Sequence, residues 1–309
     1  MRDPYSFDLR NWWAAVIVVF AAVLPSMLFA AAPDTAPTTS QFAGEVGKDE
    51  YGQAEPPATA GVFRWDFSKE GTRTYAYSQE VRAKADLGDA AGDAAQELSA
   101  KGTLLIRSLG SGSAELVLKD LKLRATVTVA RGARKAMEQT MPSIVVQGVT
   151  EDGTGAFGNS SQDMLLKLLF PVPNKSMAIG ESTDVPAQIP FSALGSVLKV
   201  NGRCRMKLTR FVTIANRTCA QFDVDTDISE LKVPPELQGD YKFSAKGTSV
   251  LYFDTERKLF VSGTVALLMQ LGVDAPLPEL GGRGQAANAP RRSKMSTTSD
   301  NLIRVKLVE

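Results

Sequence analysis

The second half of the chain is a succession of long, alternating stretches, and they restrict what the chain can become. They occupy 182–189, 196–210, 218–230, 240–254, 258–271 and 301–308. Side chains alternate between faces along a strand, so this texture marks strands with one face toward a core. Turn residues separate most of them. Long strands in chain order, joined by hairpins, predict a mainly β fold: one large curved antiparallel meander, an open or half barrel. The first half adds strand-like stretches at 72–86, 98–108, 114–130 and 144–149. Soft or Gly-rich segments at 87–97, 131–142 and 151–158 interrupt them, and 274–298 reads as a flexible loop.

One short helix stands out. Ser160 and Asp163 form an S-x-x-D cap before Met164, Leu165, Leu166, Leu168, Leu169 and Phe170, and Pro171 and Pro173 end it. It is apolar all round and too short to be stable in water alone. It must pack on the sheet or cover an opening. Ala266, Leu267, Leu268 and Met269 likewise put apolar side chains on both faces of one strand.

One hairpin can be registered from its side chains. A turn around Ile214 pairs Leu208 with Ala220, Met206 with Phe222 and Cys204 with Val224 on one face. The other face pairs Arg205 with Asp223 and Arg203 with Asp225. This explains Asp223, Asp225 and Asp227 as partners of an Arg run. As a calcium loop the run fails, because Ile228 stands where glycine is needed and Pro234 where the bidentate glutamate belongs. In this register Cys204 and Cys219 fall on opposite faces, about five residues apart along the ladder. Two unpaired thiols are expected, since a disulfide needs Cα atoms within ~7 Å.

The N-terminus carries an export segment. Arg2, Asp3, Asp8 and Arg10 precede an uncharged stretch over 12–32, with Pro25 inside it and Ala30, Ala31 and Ala32 at its end. Residues 1–32 are expected to be a signal peptide or an uncleaved membrane anchor. Either places the body outside the cytoplasm: periplasmic, secreted or anchored. Residues 33–60, rich in Pro, Ala, Thr and Gly, read as a disordered tether, and 61–309 as a single β-rich domain.

Composition excludes much chemistry. The chain has no histidine, two cysteines, and 35 basic against 34 acidic side chains. Serine–histidine and cysteine–histidine catalysis and histidine-bound metals are ruled out. The +1 balance argues against a nucleic-acid partner. No cofactor or metal is implied. Ser196 and Lys199 match S-x-x-K, and Ser299, Asp300 and Asn301 match S-D-N, the pattern of penicillin-binding proteins and β-lactamases. The context is wrong: Ser196 and Lys199 lie on a strand, where positions i and i+3 face opposite ways, and K-T-G is absent.

Three features together carry a resemblance. They are the leader with its tether, the segment FRWDFSKEGTRTYAYSQEV (63–81), and the late hairpins holding TCAQFDVDTDI (218–228) and SVLYFDTERKLFVSGTV (249–265). The chain resembles exported bacterial β-sheet families of unknown function. More distantly it is similar to the periplasmic lipoprotein-carrier and mycobacterial lipid-carrier superfamily. That resemblance implies a curved sheet over helices and the binding of lipid or lipidated cargo.

The expected function is therefore non-enzymatic: an extracytoplasmic envelope protein holding a lipid, an acyl chain or an envelope protein partner on its concave face. The side chains expected to line that site are Leu165, Leu168, Leu169, Met206, Leu208 and Phe222. Membrane association would run through residues 12–32. The alternatives are a structural or interaction module with a filled core, and a hydrolase acting through Asp/Glu or Ser/Lys. A cavity of ~300 Å³ or more beneath the helix separates the first two.

Overall fold

A computed structural model describes residues 37–58, 61–86, 93–129, 134–157, 166, 168–193, 196–235, 239–276 and 292–308. The segment 1–36 and most of the short helix, Leu165 included, lie outside the described residues. The expected mainly β architecture is what the chain adopts. Twelve strands form one antiparallel sheet. They are β1 (Gly52–Gln53), β2 (Glu70–Asp86), β3 (Asp93–Leu109), β4 (Ser113–Val129), β5 (Arg134–Thr140), β6 (Ile144–Thr150), β7 (Ser182–Ala193), β8 (Ser196–Ile214), β9 (Arg217–Lys232), β10 (Asp240–Asp254), β11 (Leu259–Pro276) and β12 (Arg292–Val308).

Two meanders make this sheet. One runs from β2 to β4 and ends with β5 and β6, which share the outer side of β4. The other runs from β7 to β12, with β7 and β1 sharing the outer side of β8. The two join where β12 pairs with β2, from Ser296 opposite Asp86 to Val308 opposite Thr74. The sheet is not closed, and its two outer edges carry devices against further pairing. Pro186 and Pro190 on β7 have no N–H to give, and Arg134, Lys135 and Glu138 charge β5.

The strands are longer than their sequence signals. β3 already starts at Asp93, inside the expected loop at 87–97, and β5 lies within the expected break at 131–142. The expected loop at 274–298 is shorter at both ends, because β11 continues to Pro276 and β12 begins at Arg292. Mostly small or polar residues make up these extensions; backbone pairing with neighbouring strands holds them, from Ala275 opposite Ser293 to Thr297 opposite Ala85.

The β8–β9 hairpin keeps the expected faces but not the expected register. Its turn is Ala215-Asn216, both with positive φ (46° and 60°), the conformation of a two-residue type I′ turn. Leu208 pairs with Phe222, Met206 with Val224, Cys204 with Thr226, Arg205 with Asp225 and Arg203 with Asp227. The slip is two residues, which leaves every side chain on its face. A bulge between Leu208 and Arg210 absorbs the odd residue. The closest ion pair of Arg203 is with Asp184 on β7, at 3.1 Å.

The segment read as a tether has a definite course over 37–54, across the convex face. Gln270 Nε2 donates to the Pro37 carbonyl at 2.9 Å. The Ser40 hydroxyl and the Gln41 amide donate to the buried Asp300 carboxylate. Phe42 packs on Ala266 and Leu302, with the Arg82 guanidinium 4.7 Å from its ring centre. Arg304 bridges Glu45 and Glu80, both at 3.1 Å. Tyr51 meets Tyr252 edge-on at 4.9 Å, and β1 then pairs with β8. This strap explains why Ala266 is apolar on the outer face of β11.

Some glycines are required by strand proximity. A Cβ on Gly247 would sit 2.1 Å from the Ala266 carbonyl oxygen. Gly247→Ala is expected to cost at least ~2 kcal/mol by forcing β10 from β11. Gly71→Ala, where nothing lies within 4 Å, is expected to leave stability nearly unchanged. Guanidinium unfolding of both variants checks the contrast.

Candidate functional site

The described residues of the expected site are all buried. Leu168, Leu169, Met206, Leu208 and Phe222 all belong to one buried cluster. Leu166, Leu168 and Leu169 keep helical conformation and are buried; Leu165 lies outside the described residues. The same cluster contains the first residues of the 63–81 segment that carries the resemblance. Phe63, Trp65 and Phe67 alternate inward along an extended segment that crosses the inside of the sheet. It is not one of the sheet strands. Its backbone is tied to the loops that bridge the open side: Phe63 N–H to the Lys175 carbonyl (3.1 Å), Asn174 N–H to Phe63 (3.0 Å) and Trp65 N–H to Glu151 (3.0 Å).

The aromatic rings form a continuous stack of contacts. Phe63 meets Phe222 edge-on at 5.0 Å, Trp65 meets Phe170 at 5.6 Å and Phe260 at 5.2 Å, and Phe170 stacks on Phe260 at 5.1 Å. Each such pair adds ~0.5–1.5 kcal/mol beyond the burial of its area. The buried Tyr75 hydroxyl donates to the Phe260 carbonyl at 2.8 Å, and burial raises its pKa far above the usual tyrosine value. The gap left between Leu166, Phe170, Trp65 and Phe67 is only about 20 Å³. Among the described residues, the aromatic segment packs into the space beneath Leu166 and Phe170.

A polar band crosses the same inner face. The Tyr77 hydroxyl donates to Gln79 Oε1 (3.1 Å), and Gln79 Nε2 to Asn301 Oδ1 (3.4 Å). Asn301 Nδ2 donates to the Leu267 and Ser299 carbonyls. The S-D-N run is thus divided by its strand: Asn301 joins the core network, while Asp300 holds the strap outside. Ser196 and Lys199 lie three positions apart on β8, at places of opposite face, four strands away from β12 in the sheet.

Both cysteines are free and buried. Cys204 lies 3.7 Å from the Thr226 hydroxyl. The Cys219 thiol is pushed up to about 12 by burial, with the Asp254 charge adding and Arg217 opposing. Neither has the lowered pKa of a reactive nucleophile.

Two open clefts lie on the outside. One, of about 680 Å³, runs over the convex faces of β2, β3 and β4. Its charges are largely neutralised, with Arg124 paired to Glu138 (2.8 Å) and Arg304 to Glu80 (3.1 Å). The other, of about 830 Å³, sits at the end of the sheet among Asp66, Lys69, Arg73, Arg217, Glu256, Arg257 and the tail of β12. Sequence reasoning missed it, because its residues are spread from 66 to 308 and share no motif.

No family model matches the chain, and no curated protein is similar to it in sequence. Among solved structures, the translocator domain of the autotransporter NalP from Neisseria meningitidis aligns over 76% of this chain and 88% of its own, at 9% identity and a TM-score of 0.24. An outer membrane channel from Pseudomonas putida F1 aligns over 83% of this chain and 100% of its own, at 9% identity and a TM-score of 0.22. Superpositions this loose carry over neither a topology nor an activity. They lend no support to the lipid-carrier resemblance.

Trp65→Ala opens the packed interior and is expected to cost about 3–5 kcal/mol in chemical denaturation. The thiols give a second test. Both are expected to resist a thiol reagent in the native protein at pH 8 and to react fully once unfolded. The Cys219 pKa is raised on folding, so its contribution to stability is complete below the unfolded value of ~8.5 and fades as pH climbs toward 12. Thermal melts at rising pH should therefore fall less steeply for Cys219→Ala than for the parent chain.

Proposed function

We propose that the chain is a non-enzymatic, extracytoplasmic structural or interaction module of the bacterial envelope that acts through its outer surface. The observation that supports this reading is the filled concave side. Among the described residues, Trp65, Phe67, Leu166 and Phe170 leave a gap of about 20 Å³ where an acyl ligand needs ~300 Å³ or more. A lipid could enter only by displacing the aromatic segment, and each ring removed from the stack would lose several contacts at 5–6 Å.

The strap adds an orientation. Pro37 is fixed at Gln270, so an anchor ending near residue 32 would hold this end of the sheet within roughly 15–20 Å of a bilayer, the reach of five extended residues. A stiff, long-stranded body would then project outward with its edges blocked and its convex face clasped.

The test is native mass spectrometry on the full chain, extracted gently from its envelope fraction and then denatured. The expected result is a native mass with no acyl-bearing adduct. A co-purifying lipid or acyl mass released on denaturation would overturn the filled-core reading and restore the carrier one.

A further inference from the structure

The cleft at the end of the sheet lies far from the start of the strap. From Gln270 to Leu259 the path along β11 is about 36 Å at the usual strand rise. Four stretches of chain frame it: the passage from the aromatic segment into β2, the turn after Asp254, the start of β9 and the end of β12. Lys69, Arg73 and Arg257 stand in it, from separate positions in the sequence, and none of the three forms an ion pair among the described residues. Arg217 adds a fourth cation, its guanidinium 3.9 Å from the buried Asp254 carboxylate.

Among the described residues two acids, Asp66 and Glu256, line the cleft, Asp254 offsets Arg217 beside it, and Asp66 also feels the Lys258 and Arg73 charges. Asp66 accepts the Ser68 amide (2.9 Å) and hydroxyl (2.5 Å). Glu256 is exposed on the turn. On the strands Arg107, Arg124 and Arg203 have acid partners, Glu115 at 3.2 Å, Glu138 at 2.8 Å and Asp184 at 3.1 Å, whereas Arg205, Lys207 and Lys306 have no ion pair among the described residues. The whole chain is nearly neutral, at +1. The positive excess in this cleft is therefore a matter of placement. Gathered like charges repel unless an anion relieves them. Arginine forks match the oxygens of phosphate in two parallel hydrogen bonds. Thr72 and Thr74 add hydroxyls, and Leu259, Leu307 and Val308 an apolar wall.

We propose that this cleft binds a soluble phosphate-bearing molecule, held by Arg73 and Arg257 with Lys69 closing over it. A soluble source is favoured over bilayer headgroups because the strap turns the opposite end of the sheet toward the anchor. The assignment goes beyond the filled-core reading and does not depend on it.

Calorimetric titration of the full chain, in neutral detergent, with inorganic pyrophosphate tests it. Saturable binding is expected, weakened about tenfold (roughly 1.4 kcal/mol) or more by Arg257→Gln and by Arg73→Gln. Glu256→Gln, which removes a repelling charge, should tighten it. Arg124→Gln, on the convex face, should leave it unchanged. Arg257 lies on an exposed turn, so its variant carries the test even where Arg73→Gln impairs folding. Absence of saturable binding, or equal binding by the parent chain, Arg257→Gln and Arg124→Gln, overturns the proposal. Sedimentation with phosphatidylcholine vesicles containing phosphatidic acid, lost in Arg257→Gln, would overturn the soluble source and assign a headgroup. In the native spectrum the two readings stay separable: an adduct lost in Arg257→Gln reports the cleft, and an acyl-bearing adduct that persists in Arg257→Gln reports the core.

Discussion

The pairing of β12 with β2 is the contact on which the rest of the molecule depends. It joins Thr74–Asp86 to Ser296–Val308 across more than two hundred residues of chain. Without it the protein would be two separate meanders, each with a bare hydrophobic face. With it, the two faces become one concave surface large enough to need filling. Closing so long a loop is entropically costly and kinetically slow. The ladder offsets this along thirteen residue pairs. Strap contacts reinforce the same place from outside, since Arg304 and Asp300 on β12 hold Glu45, Ser40 and Gln41.

Filling the concave surface falls to a short aromatic segment. Phe63, Trp65 and Phe67 come just before β2 in the chain, so the segment that plugs the interior is covalently attached to the strand at the central junction. Phe170 arrives from the bridge between β6 and β7 and completes the stack. Large rings suit this role because each buries much area at low cost in side-chain freedom. An open sheet with two unpaired edges is thereby given a solid core, while its edges are protected by proline on one side and charge on the other. The end cleft, with Lys69, Arg73 and Arg257, lies outside this core.

Much of this was legible in the sequence. Alternation placed nearly every strand and sorted inward from outward side chains correctly, including Met206, Leu208 and Phe222. The β8–β9 register came out two residues off because the real turn uses left-handed Ala215 and Asn216, and a bulge at Thr209 restores the pattern. Faces survive an even slip, so side-chain matching alone could not detect it. The strap was read as a tether because Pro, Ala, Thr and Gly give no periodicity. Its order comes from single contacts to distant residues: Ser40 to Asp300, Phe42 to Ala266 and Leu302.

By itself, the sequence determined the class of fold, the composition of the core and the chemistry that is absent: alternation and residue type are local properties, and they act before any long-range contact forms. Only the tertiary structure decided whether the concave face would hold a ligand or the protein's own rings, because the same apolar side chains line a cavity or a packed core. It also decided where unneutralised charge would collect. Lys69, Arg73 and Arg257 are unremarkable in a chain with 35 basic residues, and they share a cleft only because four separate stretches meet at one end of the sheet.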